Sequence, residues 1–336
     1  MDSAAMIARP GARRDGQPVT GLLTPATPAP STSVVAALLA ALCWTVATLL
    51  WRRLPATWTV QQLNLLKTLL AFLLQLPLLA LVRWPPALQG GAVALLALSG
   101  VVGIAWGDSL FFSALRRLGT RRSLTITAAG PALTALLGLV TLGELPSAAQ
   151  GLGIGLISLA VVLVARQRPP DGACGDRAAP ANLPWAGLAL ALAAMACGSA
   201  GALLARSALR SGDVPALVAA TVRLGAASLA LLPVWAKQGL GPARATAPLR
   251  QWPTIVVATL LGTSLGIMLQ QLALKGLAGG LAVALLSTSP VLALPFARLE
   301  GDSPGLPGWL AALAACAGVS LVAGLTLPPA GWPPGG

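Results

Sequence analysis

Three ionisable side chains stand inside long apolar runs: Lys67 in QLNLLKTLLAFLLQLP, Asp108 in GVVGIAWGDSLFF and Arg223 in AATVRLGAASLALLP. A charge in such surroundings is costly to keep and points to function. Gln61, Asn64, Lys67, Thr68 and Gln75 fall within about 60° of one axis at helical spacing, so they form one polar stripe. Thr263, Gln270 and Gln271 are the polar positions of a later run. Lys67 and Arg223, with Asn64, Gln75, Gln270 and Gln271 around them, have the chemistry to bind an anionic group such as a carboxylate or phosphate. Asp108 can carry a proton or pair with a cation. The bland alternative is that the two cations snorkel to an interface or form a structural ion pair with Asp108.

The composition excludes other chemistry. The 336 residues contain no His, so a Ser–His or Cys–His nucleophile pair and an HExxH zinc site are out of reach. Cys43, Cys174, Cys197 and Cys316 are widely spaced and form no CxxC, and three of them sit in apolar runs where Cys acts as a small hydrophobe. No GxxxxGK[ST] occurs. Neither a metal nor a cofactor is expected. Only 9% of residues are charged against 56% hydrophobic, with a mean hydropathy of +0.80. A soluble surface cannot be built from that, whereas a chain with several membrane spans can. The net charge of +13 comes from short Arg clusters between apolar runs, which is the pattern of membrane loops and not of a phosphate-tracking groove. No nucleic-acid partner is expected.

A span needs about 20 mostly apolar residues. Ten runs qualify: 34–51, 57–82, 91–115, 122–142 and 146–165, then 184–207, 214–236, 252–274, 279–298 and 306–326. Basic breaks, including Arg116 to Arg122, separate them. Just before and along the fourth run, Thr120, Thr127, Thr134 and Thr141 recur every seven residues. In the ninth, Ser287, Thr288 and Ser289 precede Pro290, where a helix bend would expose carbonyls; Pro131 is the corresponding bend in the fourth. Arg13 and Arg14 precede an uncleaved first helix. The organisation read here is a flexible tail (1–33), a first set of five spans (34–165), a linker (166–183), a second set (184–326) and a disordered tail (327–336).

The two sets repeat each other. Lys67 precedes Pro77 by ten residues and Arg223 precedes Pro233 by ten, at an offset of 156. Gly103, Gly107 and Pro131 match Gly262, Gly266 and Pro290 at an offset of 159. An odd number of spans per copy makes the second copy enter the membrane in the opposite sense. Inverted repeats of this kind belong to secondary transporters, with cargo bound near the midplane.

The stretch from Gly107 to Ala165, GDSLFFSALRRLGTRRSLTITAAGPALTALLGLVTLGELPSAAQGLGIGLISLAVVLVA, resembles the EamA repeat of the drug/metabolite transporter superfamily. Ala114 and Leu115 lead to a basic turn, a Ser/Thr-rich helix with Pro131, then Gly143–Glu144 and Gly151. Ala273, Leu274, Pro290 and Gly308 repeat the pattern. The second copy departs from it: Glu300 and Asp302 both stand near the place of Glu144, and the spacing does not choose between them. The resemblance implies an all-α membrane protein of ten transmembrane helices in two inverted EamA-type repeats. It also implies export or exchange of small metabolites by alternating access in the cytoplasmic (inner) membrane, driven by proton antiport or exchange. Glu144 matches the family glutamate at a helix end and is assigned to gating or structure, as Asp108 is to coupling.

The resulting expectation is a multi-pass transporter of a small amphipathic or anionic, amino-acid-like metabolite, as monomer or homodimer, and not an enzyme. A membrane sensor or scaffold and an integral-membrane enzyme are the rivals. The resemblance implies cytoplasmic termini. Lys and Arg, however, divide 7 on the terminal side to 13 on the other, which favours termini outside. The orientation is left open.

Overall fold

The computed structural model describes residues 28–52, 59–82, 90–166, 185–210, 214–238, 249–297 and 305–324. Residues 1–27, most of the linker, the C-terminal tail from 325 onward, Cys174, Glu300 and Asp302 lie outside the described residues. Where no water can satisfy a backbone amide, a spanning chain closes its hydrogen bonds within the helix. Every regular element among the described residues is helical.

In chain order the α-helices are α1 (Pro30–Arg52), α2 (Val60–Gln75, continued by a 3₁₀ turn Pro77–Leu81), α3 (Gly90–Ser99), α4 (Ser109–Thr127), α5 (Gly130–Leu142) and α6 (Ala148–Ala165). Then come α7 (Trp185–Leu209), α8 (Ala216–Gln238), α9 (Trp252–Thr259), α10 (Gly266–Gly276), α11 (Gly279–Leu286), α12 (Ser289–Leu292), α13 (Leu294–Ala297) and α14 (Gly305–Val322). Eight helical stretches are long and apolar enough to cross a membrane, and two shorter apolar helices, Gly130–Leu142 and Ala148–Val164, stand beside them. The protein is an all-helical, multi-pass membrane protein.

Local chemistry sets the ends. Thr59 and Ser147 open α2 and α6 with reciprocal capping boxes to Gln62 and Gln150. Gly143, at φ 67°, closes α5 in the left-handed conformation. The first helix begins at Pro30, inside the expected tail, because proline fits the first turn of a helix.

One boundary departs from expectation. The basic segment Arg116–Arg122 does not break the chain: α4 runs through it to Thr127, and the break falls at Ala128–Ala129. Arginine favours helix, and the stop is set instead by Pro131, whose ring and missing amide end the preceding turn. The expected Thr stripe is therefore split, with Thr127 on α4 and Thr134 and Thr141 on α5. In the second half the corresponding sequence is Gly-rich. There α10 ends at Gly276, Leu277 is extended and α11 restarts at Gly279. The ninth run is likewise broken, into α11, α12 and α13.

A feature absent from the sequence pattern is shared by both halves. π-helical stretches, Gly100–Asp108 and Leu260–Leu265, link α3 to α4 and α9 to α10. They contain Gly103 and Gly262, repeat partners. Such π segments concentrate at functional sites.

The packing exchanges partners between halves. α2 lies on its repeat counterpart α8, and α6 lies on its counterpart α14. α7 packs against α3, the first π stretch and α4, while its counterpart α1 packs against α9, the second π stretch and α10. Lipid offers no hydrophobic gain for helix association, so small residues that allow close approach carry the packing. Ala36, Ala37, Ala40 and Ala41 on α1 are buried, whereas Leu136, Val140, Leu152 and Leu313 face outward. One close crossing is α7 on the first π stretch: a Cβ at Gly201 would lie 2.7 Å from the Cα of Gly103. Gly201→Leu should cost about 1–3 kcal/mol or more through overpacking. Gly198→Ala, one turn away with nothing within 4 Å of its Cβ position, should leave the melting temperature unchanged; thermal unfolding of both variants in detergent checks this.

Candidate functional site

α2 carries the polar stripe into the bundle, where Asn64, Thr68 and Gln75 are fully buried. Lys67 Nζ makes an ion pair with Asp108 Oδ2, and its ammonium also lies 4.9 Å from the ring centre of Phe112. The pair is only partly enclosed, with side-chain exposures of 13% for Lys67 and 36% for Asp108. Asp108 ends the first π stretch, so the bulge sets the aim of its carboxylate.

Arg223 is the repeat counterpart of Lys67, on the helix packed against α2, but its surroundings differ. It is 3% exposed, and its side-chain hydrogen-bond partner among the described residues is neutral: an Nη donates to Gln270 Oε1 at 3.1 Å. Its Nε has no partner among the described residues. Asp108 acts on it electrostatically, yet no carboxylate among the described residues lies within ion-pair distance of it. Arg223 and Gln270 are thus brought together, and Lys67 with Asp108.

The remaining candidates divide. Gln270 belongs to the cluster. Gln271 is fully buried and its Nε2 reaches Gln270 Oε1 at 3.5 Å, leaving its own Oε1 without a partner among the described residues. Asn64 donates to the carbonyls of Ile104 and Ala105 at 3.0 and 3.3 Å and to Ser109 Oγ at 3.0 Å. It secures the π stretch that carries Asp108. Gln75 departs from the expected cargo contact. Its Nε2 donates to Ser264 O at 2.8 Å in the other π stretch, and its Oε1 accepts from Thr221 at 2.9 Å. Both ends of the amide are used between helices in this structure.

Pro131 and Pro290 stand in the first turns of α5 and α12, just past the two breaks. Each break is met by a hydroxyl from the first helix of the other half. Thr45 Oγ1 donates to Ser289 O at 2.8 Å, and Ser199 Oγ approaches Gly130 O at 3.5 Å while bonding Thr134 at 2.9 Å.

Glu144 heads a second cluster, at the end of the bundle where α5 meets α6, α7 meets α8 and α10 meets α11. Its Oε1 accepts from Arg206 Nε and its Oε2 from the backbone amide of Gly279, each at 2.7 Å. The carboxylate therefore pairs with α7 and caps the positive end of α11 at once. Arg206 also donates to the carbonyls of Leu274 and Lys275, both at 2.9 Å, at the end of α10. Arg210 donates to Leu142 O at 3.0 Å. Lys275, expected in a loop, is buried and donates to Val214 O at 2.9 Å. Arg206 and Lys275 were not singled out by the sequence; both lie in the last turn of a helix, where orphan carbonyls seek cationic donors.

The EamA-like transporter family matches residues 31–166 and 185–324. No curated protein matches the chain. One solved crystal structure resembles it over 88% of this chain and 99% of its own, with 18% identity and a TM-score of 0.68, a likeness of fold.

Because Glu144 and Arg206 are both largely enclosed, removing one leaves the other without its charge partner. Glu144→Ala should cost about 2–4 kcal/mol. Glu144→Gln, which can still accept from Gly279, should cost less. Thermal unfolding in one detergent checks the order.

Proposed function

The chain belongs to the EamA-like transporter family, and on that premise we propose a ten-span secondary transporter that moves a small amphipathic or anionic, amino-acid-like metabolite by alternating access. The observation that carries this is the pair of repeat-related cations, Lys67 and Arg223, on two helices that pack on each other inside the bundle. The exchange of packing partners between halves supports an inverted repeat, since α1 and α7 each lie on the other half's π-bulged helix.

In this reading the anionic group of the cargo binds Arg223, with Gln270 and Gln271 beside it and Lys67 within the same site. Asp108 exchanges partners between Lys67 and a proton or cargo cation, which is the coupling step. The Glu144–Arg206 cluster is the gate at its end of the bundle: opening there must release the cap on α11 and the hold on α10. The breaks at Ala128–Ala129 and Ser287–Thr288 supply the joints about which half-helices move. The membrane is the cytoplasmic one, and transport is export or exchange.

A second reading, a non-transporting sensor or scaffold, draws on the complete burial of Asn64, Gln75 and Gln271. The 36% exposure of the Asp108 side chain favours the transporter, because a carboxylate within a span that is not enclosed by protein needs water or cargo to meet it.

Untargeted metabolite profiling of cells with and without the protein tests the choice. A metabolite should shift between cells and medium with its structure unchanged. Lys67→Gln combined with Arg223→Gln should abolish the shift while the protein still reaches the membrane and stays monodisperse. A shift retained in that double variant overturns the assignment of the site.

A further inference from the structure

Among the described residues, the duplication copied the cation but not an acid paired with it. Lys67 and Arg223 are repeat partners, but the position equivalent to Asp108, at the offset that joins Gly107 to Gly266, is Ile267. Asp108 neutralises Lys67. Arg223 is left with Gln270, which carries no charge, and with an Nε that finds no acceptor among the described residues. Asp108 and Glu144 are the two acids among the described residues, and each is engaged by another cation. Lys67, Asp108 and Arg223 together therefore hold one net positive charge, and the arginine holding it is enclosed at 3% exposure.

An enclosed charge without a counter-ion is strongly unfavourable, whereas a paired one is tolerated. A carrier that alternates must pass through a closed form in which neither mouth admits water to the site. With Asp108 ionised on Lys67 and a monoanionic cargo bound, that closed form is neutral at the centre. Without cargo, Arg223 crosses it unpaired.

We infer that the unpaired charge of Arg223 brakes the empty carrier, so that the protein works as an obligatory exchanger of monoanions. The inference rests on the central site proposed above and adds to it the charge of the cargo and the requirement that each outward step be matched by an inward one. A carboxylate reaches the guanidinium edge that Gln270 leaves open and brings the three-residue cluster to zero. A dianion overshoots this balance, and a neutral compound leaves the brake on. Net one-way export is slow for the same reason that exchange is fast.

The test needs no cargo. Leu281, enclosed in α11 and lining the small cavity beside Glu144, is changed to Cys in a chain whose four native cysteines are replaced by Ala. The rate of maleimide labelling in lipid nanodiscs then reports how often the empty carrier opens that end. Arg223→Gln and Lys67→Gln each bring the central charge to zero and should speed labelling by about tenfold or more, the scale expected when an unpaired buried charge is removed. Arg223→Lys keeps the charge and should label as slowly as the parent; Asp108→Asn, which raises the charge, should be no faster. Monodispersity and an unchanged melting transition identify the variants that are folded. Equal rates for the parent and Arg223→Gln, or an Arg223→Lys variant as fast as Arg223→Gln, overturn the brake and leave alternating access standing. A cysteine that labels in detergent-denatured protein but in no folded variant overturns the alternating-access reading itself.

Discussion

The structure depends on one constraint: inside an apolar bundle, a backbone group released from a helix ladder has no water to turn to. Several interruptions of the helices are therefore met by a side chain from elsewhere. Asn64 meets the carbonyls of the first π stretch and Gln75 that of Ser264 in the second. Thr45 and Ser199 meet the carbonyls beside the two proline breaks. Ser99 donates to the carbonyl of Gly201 where α7 crosses the first π stretch, at 2.6 Å. Arg206 and Lys275 do the same at helix ends. Most of these links join different helices, and the polar groups that permit bends also fix the neighbours.

The same constraint governs the charges. Of the cations inside the bundle, Lys67 is balanced by Asp108 and packed on Phe112. Arg206 is balanced by Glu144 and the carbonyls it caps. Arg223 holds a neutral amide. The two halves share helix order, π stretches and proline breaks, yet their electrostatics differ, because an aspartate stands in one copy where isoleucine stands in the other. A pseudo-symmetric scaffold thereby carries a site of one-sided charge.

The two clusters lie in different mechanical settings. Lys67, Asp108 and Arg223 sit on long helices and on the π stretch, where packing on both sides holds them. Glu144 lies in the link between α5 and α6 and reaches the first turn of α11, a helix of 8 residues followed by a break. A carboxylate that both pairs with one helix and caps another is a compact means of joining and releasing short elements. The family to which the chain belongs uses two such repeats, and the likeness of fold to a solved structure at 18% identity shows that the arrangement tolerates wide change in sequence.

Much was legible before any coordinates. Hydropathy alone indicated a multi-pass helical membrane protein, because lipid permits only helix and demands apolar length, but it misplaced the boundary between the third and fourth runs. The repeat followed from Lys67/Arg223, Gly103/Gly262 and Pro131/Pro290, since glycine and proline mark backbone positions that tolerate few replacements. The polar stripe of α2 followed from helical periodicity. What the sequence could not decide was which charge meets which. Lys67 and Arg223 look alike in one dimension, and only the crossing of α2 with the first π stretch gives Asp108 to Lys67 and leaves Arg223 to Gln270. Likewise, Gln75 reads as a cargo ligand until Ser264 and Thr221 claim its amide. Arg206 is one more residue at the end of an apolar run until α10 and α11 arrive beside it. Composition and period are properties of a single helix, whereas an ion pair belongs to two, and the distance between them is set by where small residues let the helices touch.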